Sequence, residues 1–569
     1  MQQGEAKMAG YGETERPVGE PAPQGEMLAP LREPAFRNMW IASLFSNFGQ
    51  LFLGVGAAWE MTRLGNSSPI MVALVQSAMM LPLMLVTLPA GAIADMFDRR
   101  RIAITGLGFS AICAAVLAAV SYFGLVTPWL LLLFCVLIGA GVALFSPSWQ
   151  ASIPEQVSRA NLPAAVALGS VSYNVARSFG PALGGIIVLA AGAMAVFAAT
   201  AFLYMPLLIA FALWKRRHVP SRLPPERIDR AIIGGARYAL HSPGIRIALT
   251  RVFAFGLATA TASALAPLIA KELLGGSAAT FGILLGAQGV GAVVGALFVS
   301  KIRDWIGTET AVRLFAIASG AAMVGIGFSH DIVITCLAFM VVGAGNILTI
   351  AMLNVTVQMS APRWVTARAL SLFSSAITGG VGIGAWGWGL FAGAQSVSLA
   401  LIVSGIAVAL TAGLGFLLPL PPEQESDNAM VEIGYEPEVS LALTMRSGPV
   451  AIEVEYDVDP DAARDFYGVM VKMQSMRKRI GGFDWSLSRD IANPALWIER
   501  YHCPTWGDYL RMRDRYSQTD FDIQAEADGF NRSGDGRRVR RCLERPFGSV
   551  RWQAESYDPR QETVGWMGP

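Results

Sequence analysis

From about Asn38 to Leu418 the chain alternates runs of roughly 20 apolar residues with short charged punctuation, and no other feature narrows its possible folds as much. A helix of that length, rising about 1.5 Å per residue, crosses about 30 Å of hydrocarbon. Backbone groups inside a bilayer must find partners within their own segment, so the runs read as membrane-spanning helices. About twelve spans are expected, the first near 38–62, the fifth and sixth near 163–190 and 194–214, and the last near 396–418. The composition of the 569 residues, 53% hydrophobic and 15% charged, would also suit several soluble domains. The blocks decide against that for the first two thirds of the chain.

The formal charge of +2 hides an asymmetry between loops. With these spans, one side of the membrane receives Arg99, Arg100, Arg101, Arg159, Lys215 to Arg217, Lys301, Arg303, Arg363 and Arg368, while the other receives little beyond Arg63 and Lys271. Positive loops stay inside, which predicts a multi-pass protein of the cell membrane with both termini cytoplasmic and gives no sign of nucleic-acid binding. The expected organisation is a disordered cytoplasmic tail (1–35), a six-helix half (36–214), a cytoplasmic connection (215–244), a second six-helix half (245–418), an acidic linker (419–447), a soluble α+β domain (448–552) and a tail (553–569). Within the connection, Arg227 to Leu240 reads either as an amphipathic helix along the inner surface or as a solvated linker. The five cysteines have no metal-ligand spacing, and no cofactor is implied.

The loop Gly91-Ala-Ile-Ala-Asp95-Met-Phe-Asp98-Arg99-Arg100-Arg101 places two acids and three arginines at the lip of the bilayer, where charge is costly unless paired. It resembles the signature loop between helices two and three of the major facilitator superfamily, with Gly91, Asp95, Arg99 and Arg100 at matching positions and Asp98 where many members have glycine. On the fifth span, Asn174-Val-Ala-Arg177-Ser-Phe-Gly180-Pro181-Ala-Leu-Gly184-Gly185 combines a mid-membrane arginine with a proline bend and a glycine pair. That stretch is similar to the antiporter motif of the exporting branch, with Ala176 where the motif prefers another glycine. The resemblance implies an α-helical membrane protein of two six-helix halves, a substrate site near the midplane between them, and export by alternating access in exchange for protons.

Candidate cavity residues are Asn47 and Gln50 on the first span, Arg177 on the fifth, Gln288 on the eighth, and Asn346 and Asn354 on the tenth. Polar groups on several helices point to a shared aqueous cavity, and interhelical hydrogen bonds without a ligand are the alternative for each. For Arg177, a structural pairing stands beside contact with an anionic substrate group. Spans poor in carboxylates leave Glu60 and Asp95 as candidates for proton coupling. Glu60 lies three residues before Arg63, a spacing that also suits an interfacial ion pair. Asp95, by the motif it sits in, is the candidate for a latch between the halves. The second half repeats the loop only weakly, as Gly295 to Arg303, with Val299 in the place of Asp95.

After Leu418 the apolar blocks stop. Alternation through Ile452, Val454 and Tyr456 predicts a strand, Asp459-Pro460 starts a helix, and two more strands, a helix from Thr505 and a strand near Val539 to Leu543 complete a β-α-β-β-α-β, ferredoxin-like order. The domain resembles the small dimeric barrels related to antibiotic-biosynthesis monooxygenases, through Trp497 and the Trp506 to Tyr509 helix start. Those enzymes often carry a histidine about where Tyr509 stands, so the domain is expected to be a binding or dimerising appendage rather than an enzyme. Arg537 to Arg541 suit either anionic lipid headgroups or a solvated edge strand. Together the motifs and the appendage resemble the facilitator subgroup of the enterobactin exporter and macrolide efflux proteins. That implies a secondary exporter of a siderophore-like or drug-like small molecule, with a broad multidrug pump and a membrane sensor signalling through the appendage as alternatives.

Overall fold

The computed structural model describes residues 28–64, 68–96, 98–158, 161–214, 237–362, 365–421, 437, 439–441, 443–533 and 536–544. The expected terminal tail up to residue 27, most of the Arg227 to Leu240 segment and the tail from 553 lie outside them. The side chains of 91–96 lie outside as well.

The membrane part is built from α1 (Pro34–Leu64), α2 (Pro69–Met96), α3 (Arg99–Tyr122), α4 (Pro128–Ser152), α5 (Leu162–Leu213), α6 (Pro243–Ala264), α7 (Ala278–Ile306), α8 (Thr308–Phe328), α9 (Ile332–Ser360), α10 (Thr366–Ala394) and α11 (Val397–Thr411). Local sequence sets several starts. Asp98 accepts the backbone N–H of Arg100, Thr127 that of Leu130, and Asp331 those of Val333 and Ile334. Proline opens α1, α2, α4 and α6, where its missing N–H has no intrahelical use.

Among the described residues, eleven helical stretches are long and apolar enough to cross a bilayer. One of them, α5, has 52 residues. At 1.5 Å each these would extend about 78 Å, more than twice a hydrocarbon core. Gly192 resolves this with φ 79° and ψ 175°, a conformation that suits glycine and that turns the chain between two crossings. The break falls between the expected fifth and sixth spans. Twelve crossings follow, and an even number returns the chain to the side from which α1 starts, called here the near side.

The helices are apolar outside and small inside. On α3, Phe109, Ile112 and Val116 are exposed, whereas Ala103, Gly106, Ser110 and Ala114 are buried. On α9, Ile334, Leu337 and Val341 repeat that exposed spacing. Such stripes suit lipid and would be a liability in water. The small residues let backbones approach: a Cβ on Gly106 would sit 2.8 Å from the carbonyl oxygen of Gly141, and Ser110 donates to the Ile138 carbonyl at 3.0 Å.

The chain leaves the membrane part through a short turn at Leu414–Leu417 and forms a second unit. Its order is β1 (Val450–Asp457), α12 (Ala463–Ile480), β2 (Phe483–Arg489), β3 (Leu496–Cys503), α13 (Trp506–Arg513), α14 (Gln518–Asp528) and β4 (Arg538–Leu543). The strands form one antiparallel sheet in the order β2-β3-β1-β4. Ile452 lies opposite Tyr501 on one side and Arg541 on the other. This is the expected β-α-β-β-α-β arrangement, except that the second helix is two pieces. Ser517 and Asp520 build a capping box that starts a new helix where the first one ends.

Candidate functional site

Pro181, inside α5, is the centre of the candidate site. Pro181 lacks the N–H that would otherwise bond to the carbonyl of Arg177 four residues earlier. That freed carbonyl lies against α7, where a Cβ on Gly289 would approach its oxygen to 2.8 Å. The buried Ser178 hydroxyl lies 2.9 Å from the Asn174 carbonyl and 3.2 Å from that of Gly289. The glycines of the segment divide between two neighbours. A Cβ on Gly180 or Gly184 would press on Leu51 or Val55 of α1 at 3.1 and 3.3 Å, while one on Gly185 would come within 2.8 Å of the Gly282 Cα on α7.

Three of the six cavity candidates carry no hydrogen-bond or ion-pair partner among the described residues: Gln50, Arg177 and Gln288, each half-buried. They stand at one level. Gln50 precedes Leu51, which touches Gly180, and Gln288 precedes Gly289, which touches Arg177 and Ser178. The other three are engaged. Asn47 donates to Ser172 at 3.1 Å, Asn346 accepts from Thr259 at 3.1 Å, and Asn354 pairs with Gln358 on its own helix. No described contact joins the engaged residues of the two halves into one shell.

The halves meet through two seams on the far side of this level. In the α5–α7 seam, Gly185 faces Gly282 and Ala182 faces Gly286. In the α2–α10 seam, Ser77 donates to the Gly382 carbonyl at 2.7 Å, and Gly389 and Gly393 admit Ala73 and Ile70. Trp59 of α1 stacks on Phe281 of α7 with centroids 6.2 Å apart. The two halves are therefore in direct contact on the far side. Glu60, 3.1 Å from Arg63, borders a cavity of about 190 Å³ lined also by Ser121, Gly124, Gly192 and Met194, within the first half.

On the near side the signature loop acts as a staple within its own half. Asp98 caps α3, Arg99 binds the Ala151 carbonyl at 2.8 Å and Glu155 at 3.0 Å, and Arg100 binds the carbonyls of Phe211 and Ala212 at the end of α5. Arg101 is exposed. Gly91 and Asp95 fall outside the described side chains. The second half has a staple that its weak repeat did not reveal. Glu309, at the start of α8, accepts from Arg251 at 2.6 Å, Arg313 at 2.7 Å and the Leu420 backbone at 3.0 Å. Arg313 then reaches the Gly415 carbonyl at 2.7 Å, as Arg100 reaches the end of α5. Arg251 and Glu309 are 58 residues apart, so no local spacing announces the pair.

In the second unit the interior is occupied by its own polar network. Arg477 and Glu499, 3% and 0% exposed, pair at 2.9 Å, and Glu499 also accepts from Trp485. Gln524 and Tyr516 each accept a further hydrogen bond from Arg477. Burial drives the Tyr501 and Tyr516 hydroxyls up in pKa, and Glu499 holds Arg477 protonated against the desolvation that opposes it. Tyr509 binds Arg541 at 2.7 Å, and His502 meets Glu544 at 3.1 Å. That bond from His502, with Arg500 behind it, holds the Glu544 carboxyl below its usual range. The basic run is used internally: Arg537 binds Asp528, Arg540 binds Glu455 and Arg541 binds Tyr509.

A family model described as transmembrane secretion effector matches residues 25–547. The chain is 27% identical over 312 residues to the staphyloferrin A transporter of Staphylococcus aureus, covering 52% of this chain and 76% of that one. It is 24% identical over 320 residues to the multidrug efflux pump Tap of Mycolicibacterium fortuitum, covering 54% and 78%. Among solved structures, the nucleoside transporter NupG superposes with a TM-score of 0.56 at 12% identity, over 68% of this chain and 100% of that one. A bacterial homologue of the human lysosomal transporter Spinster, inward-facing and unoccupied, gives 0.56 at 12% identity over 68% and 97%. These two likenesses concern the fold alone.

Proposed function

Because this chain belongs to the transmembrane secretion effectors of the major facilitator superfamily, we propose that it exports a small organic anion from the cytoplasm by alternating access, in exchange for protons. The near side is the cytoplasmic side of the cell membrane in this reading, and both chain ends lie there. The observation that carries it is the level of unpartnered polar side chains. A mid-membrane guanidinium costs a few kcal/mol or more unless something answers it. Arg177, with Gln50 and Gln288 at the same depth on helices of both halves, presents one cation and two amides to whatever enters from the near side. A carboxylate-rich molecule answers all three. A siderophore-like substrate fits this chemistry and agrees with the similarity to a siderophore transporter.

Alternating access requires that the far-side seams part while the near side closes. The seams suit that motion, since the α5–α7 seam is backbone against backbone and the α2–α10 seam sets side chains of α2 against glycines of α10. The two staples keep each half rigid as it rocks. The second unit in this reading is a non-catalytic appendage, with its open sheet face available for dimerisation. A broader efflux pump is the second reading. It draws support from the similarity to Tap and from Met84, whose thioether sits 2.6 Å from where a Cβ of Gly379 would be, an adaptable apolar wall in the α2–α10 seam.

The test compares small molecules retained by cells with and without the protein, grown with scarce and with ample iron. A chelator that accumulates in the deletion strain under iron scarcity supports the reading. Restoring Arg177→Gln should then leave export depressed about tenfold or more, since a hydrogen bond to a charged group contributes about 1.5–3 kcal/mol. Arg177→Lys keeps the charge and should restore part of it. Retention of lipophilic drugs with no chelator shift, or full export by Arg177→Gln, contradicts it.

A further inference from the structure

Two points on the second half bear on where the second unit sits. At the first, the helical turn leading into α6 places Tyr238, 4% exposed, in an apolar cluster with Ile245 and Ala248 of α6, Val312 of α8 and Val357 of α9. The other face of its ring is covered from the second unit by Arg479, whose guanidinium carbon is 5.7 Å from the ring centroid. Arg479 is itself held by the buried Asp520. Next to this contact, the terminal nitrogen of Arg237 would lie 3.4 Å from a Cβ on Gly481, at the end of α12. Burial pushes the Tyr238 hydroxyl up to about 12, so the ring stays neutral beneath its cation at physiological pH.

The second point is the exit of the chain. Glu309 holds the Leu420 backbone, Arg251 lies 3.4 Å from the Leu418 carbonyl, and the Leu420 side chain joins the same cluster as Tyr238. A cation over an aromatic face contributes about 0.5–1 kcal/mol when exposed and about 2 when desolvated. One such contact would not hold a free domain, but this domain belongs to the same chain that is clasped at Leu420, which raises its local concentration at Tyr238.

We propose that the C-terminal domain is docked on the second six-helix half through Tyr238, so that it travels with that half as one body and fixes the point where the connection between the halves re-enters the membrane part. The domain is thus a moving part of the transporter rather than a tethered passenger. This claim does not depend on which molecule is carried.

Spin labels at Ser475 in the domain and Lys301 at the near-side end of α7 test it in the full chain, with the five native cysteines replaced by alanine. A single narrow distance distribution is expected. Arg479→Ala should broaden it, while a pair within the domain, Ser475 and Ser488, stays narrow. Tyr238→Leu leaves the domain sequence intact and should broaden the Ser475–Lys301 distribution in the same way, which decides the matter if Arg479→Ala disturbs the domain itself. A broad distribution in the parent protein, or a narrow one that survives Tyr238→Leu, overturns the proposal.

Discussion

A charge inside the membrane part is either answered by protein or left for a ligand, and the residues here sort cleanly by that rule. Arg251 is 3% exposed and answered by Glu309, whereas Arg177 has no partner among the described residues. The first holds structure, and the second is the cation that the proposed reading gives to the substrate. The same rule, inverted, governs the C-terminal domain, where Arg477 and Glu499 are buried together. Removing one member strands the other, which typically costs about 3–5 kcal/mol, while replacing both with apolar residues of similar volume is often neutral. Arg477→Met should therefore lower the unfolding temperature of the domain markedly, and Arg477→Met combined with Glu499→Leu should recover most of the loss. Loss of the domain's resistance to protease over a temperature ramp, in the full chain, reads this. Equal loss in the single and double variants would show that the pair itself supports the fold.

At the scale of elements, α5 carries most of the proposed mechanism. Its internal proline, its glycines against α1 and its glycines against α7 all lie in one short segment that the sequence marks as unusual, and the expected turn between its two crossings falls at Gly192. A side chain at the seam should wedge it open. Gly185→Val or Gly282→Val places methyl groups where backbone atoms of the facing helix already lie within 3.0 Å, and overpacking of this kind typically costs about 1–3 kcal/mol. The variants should shift the protein toward the far-side-open state. Labelling of a cysteine introduced at Ala182 by a membrane-impermeant reagent added from the far side should rise severalfold, and unchanged labelling would contradict the seam. The loops were less legible than the helices. Gly91 to Arg101 stands out because like charges crowd one short stretch, but Glu309, Arg251 and Arg313 look like ordinary punctuation until the fold brings them together. The basic run from Arg537 to Arg541 runs into the exposed edge strand β4, one of its two expected readings, and its partners Asp528, Glu455 and Tyr509 become apparent only in the fold.

The whole molecule is two six-helix halves in contact on the far side, each stapled on the near side by an arginine that binds backbone carbonyls at or just past the end of its last helix, with a ferredoxin-like domain resting on the second half. The architecture was readable because hydrocarbon thickness imposes span length and because two motifs lie at loop and bend positions that the fold requires. The depth match of Gln50, Arg177 and Gln288 was not, since it depends on which glycines of neighbouring helices touch. The most direct test of export is transport in proteoliposomes that hold the protein in one orientation, with its near side facing outward. With an acidic interior and a tricarboxylate chelator outside, uptake should be fast, should collapse when the proton gradient is dissipated and should be depressed in Arg177→Gln. Uptake indifferent to the gradient, or only in the opposite direction, would contradict an outward, proton-driven transporter.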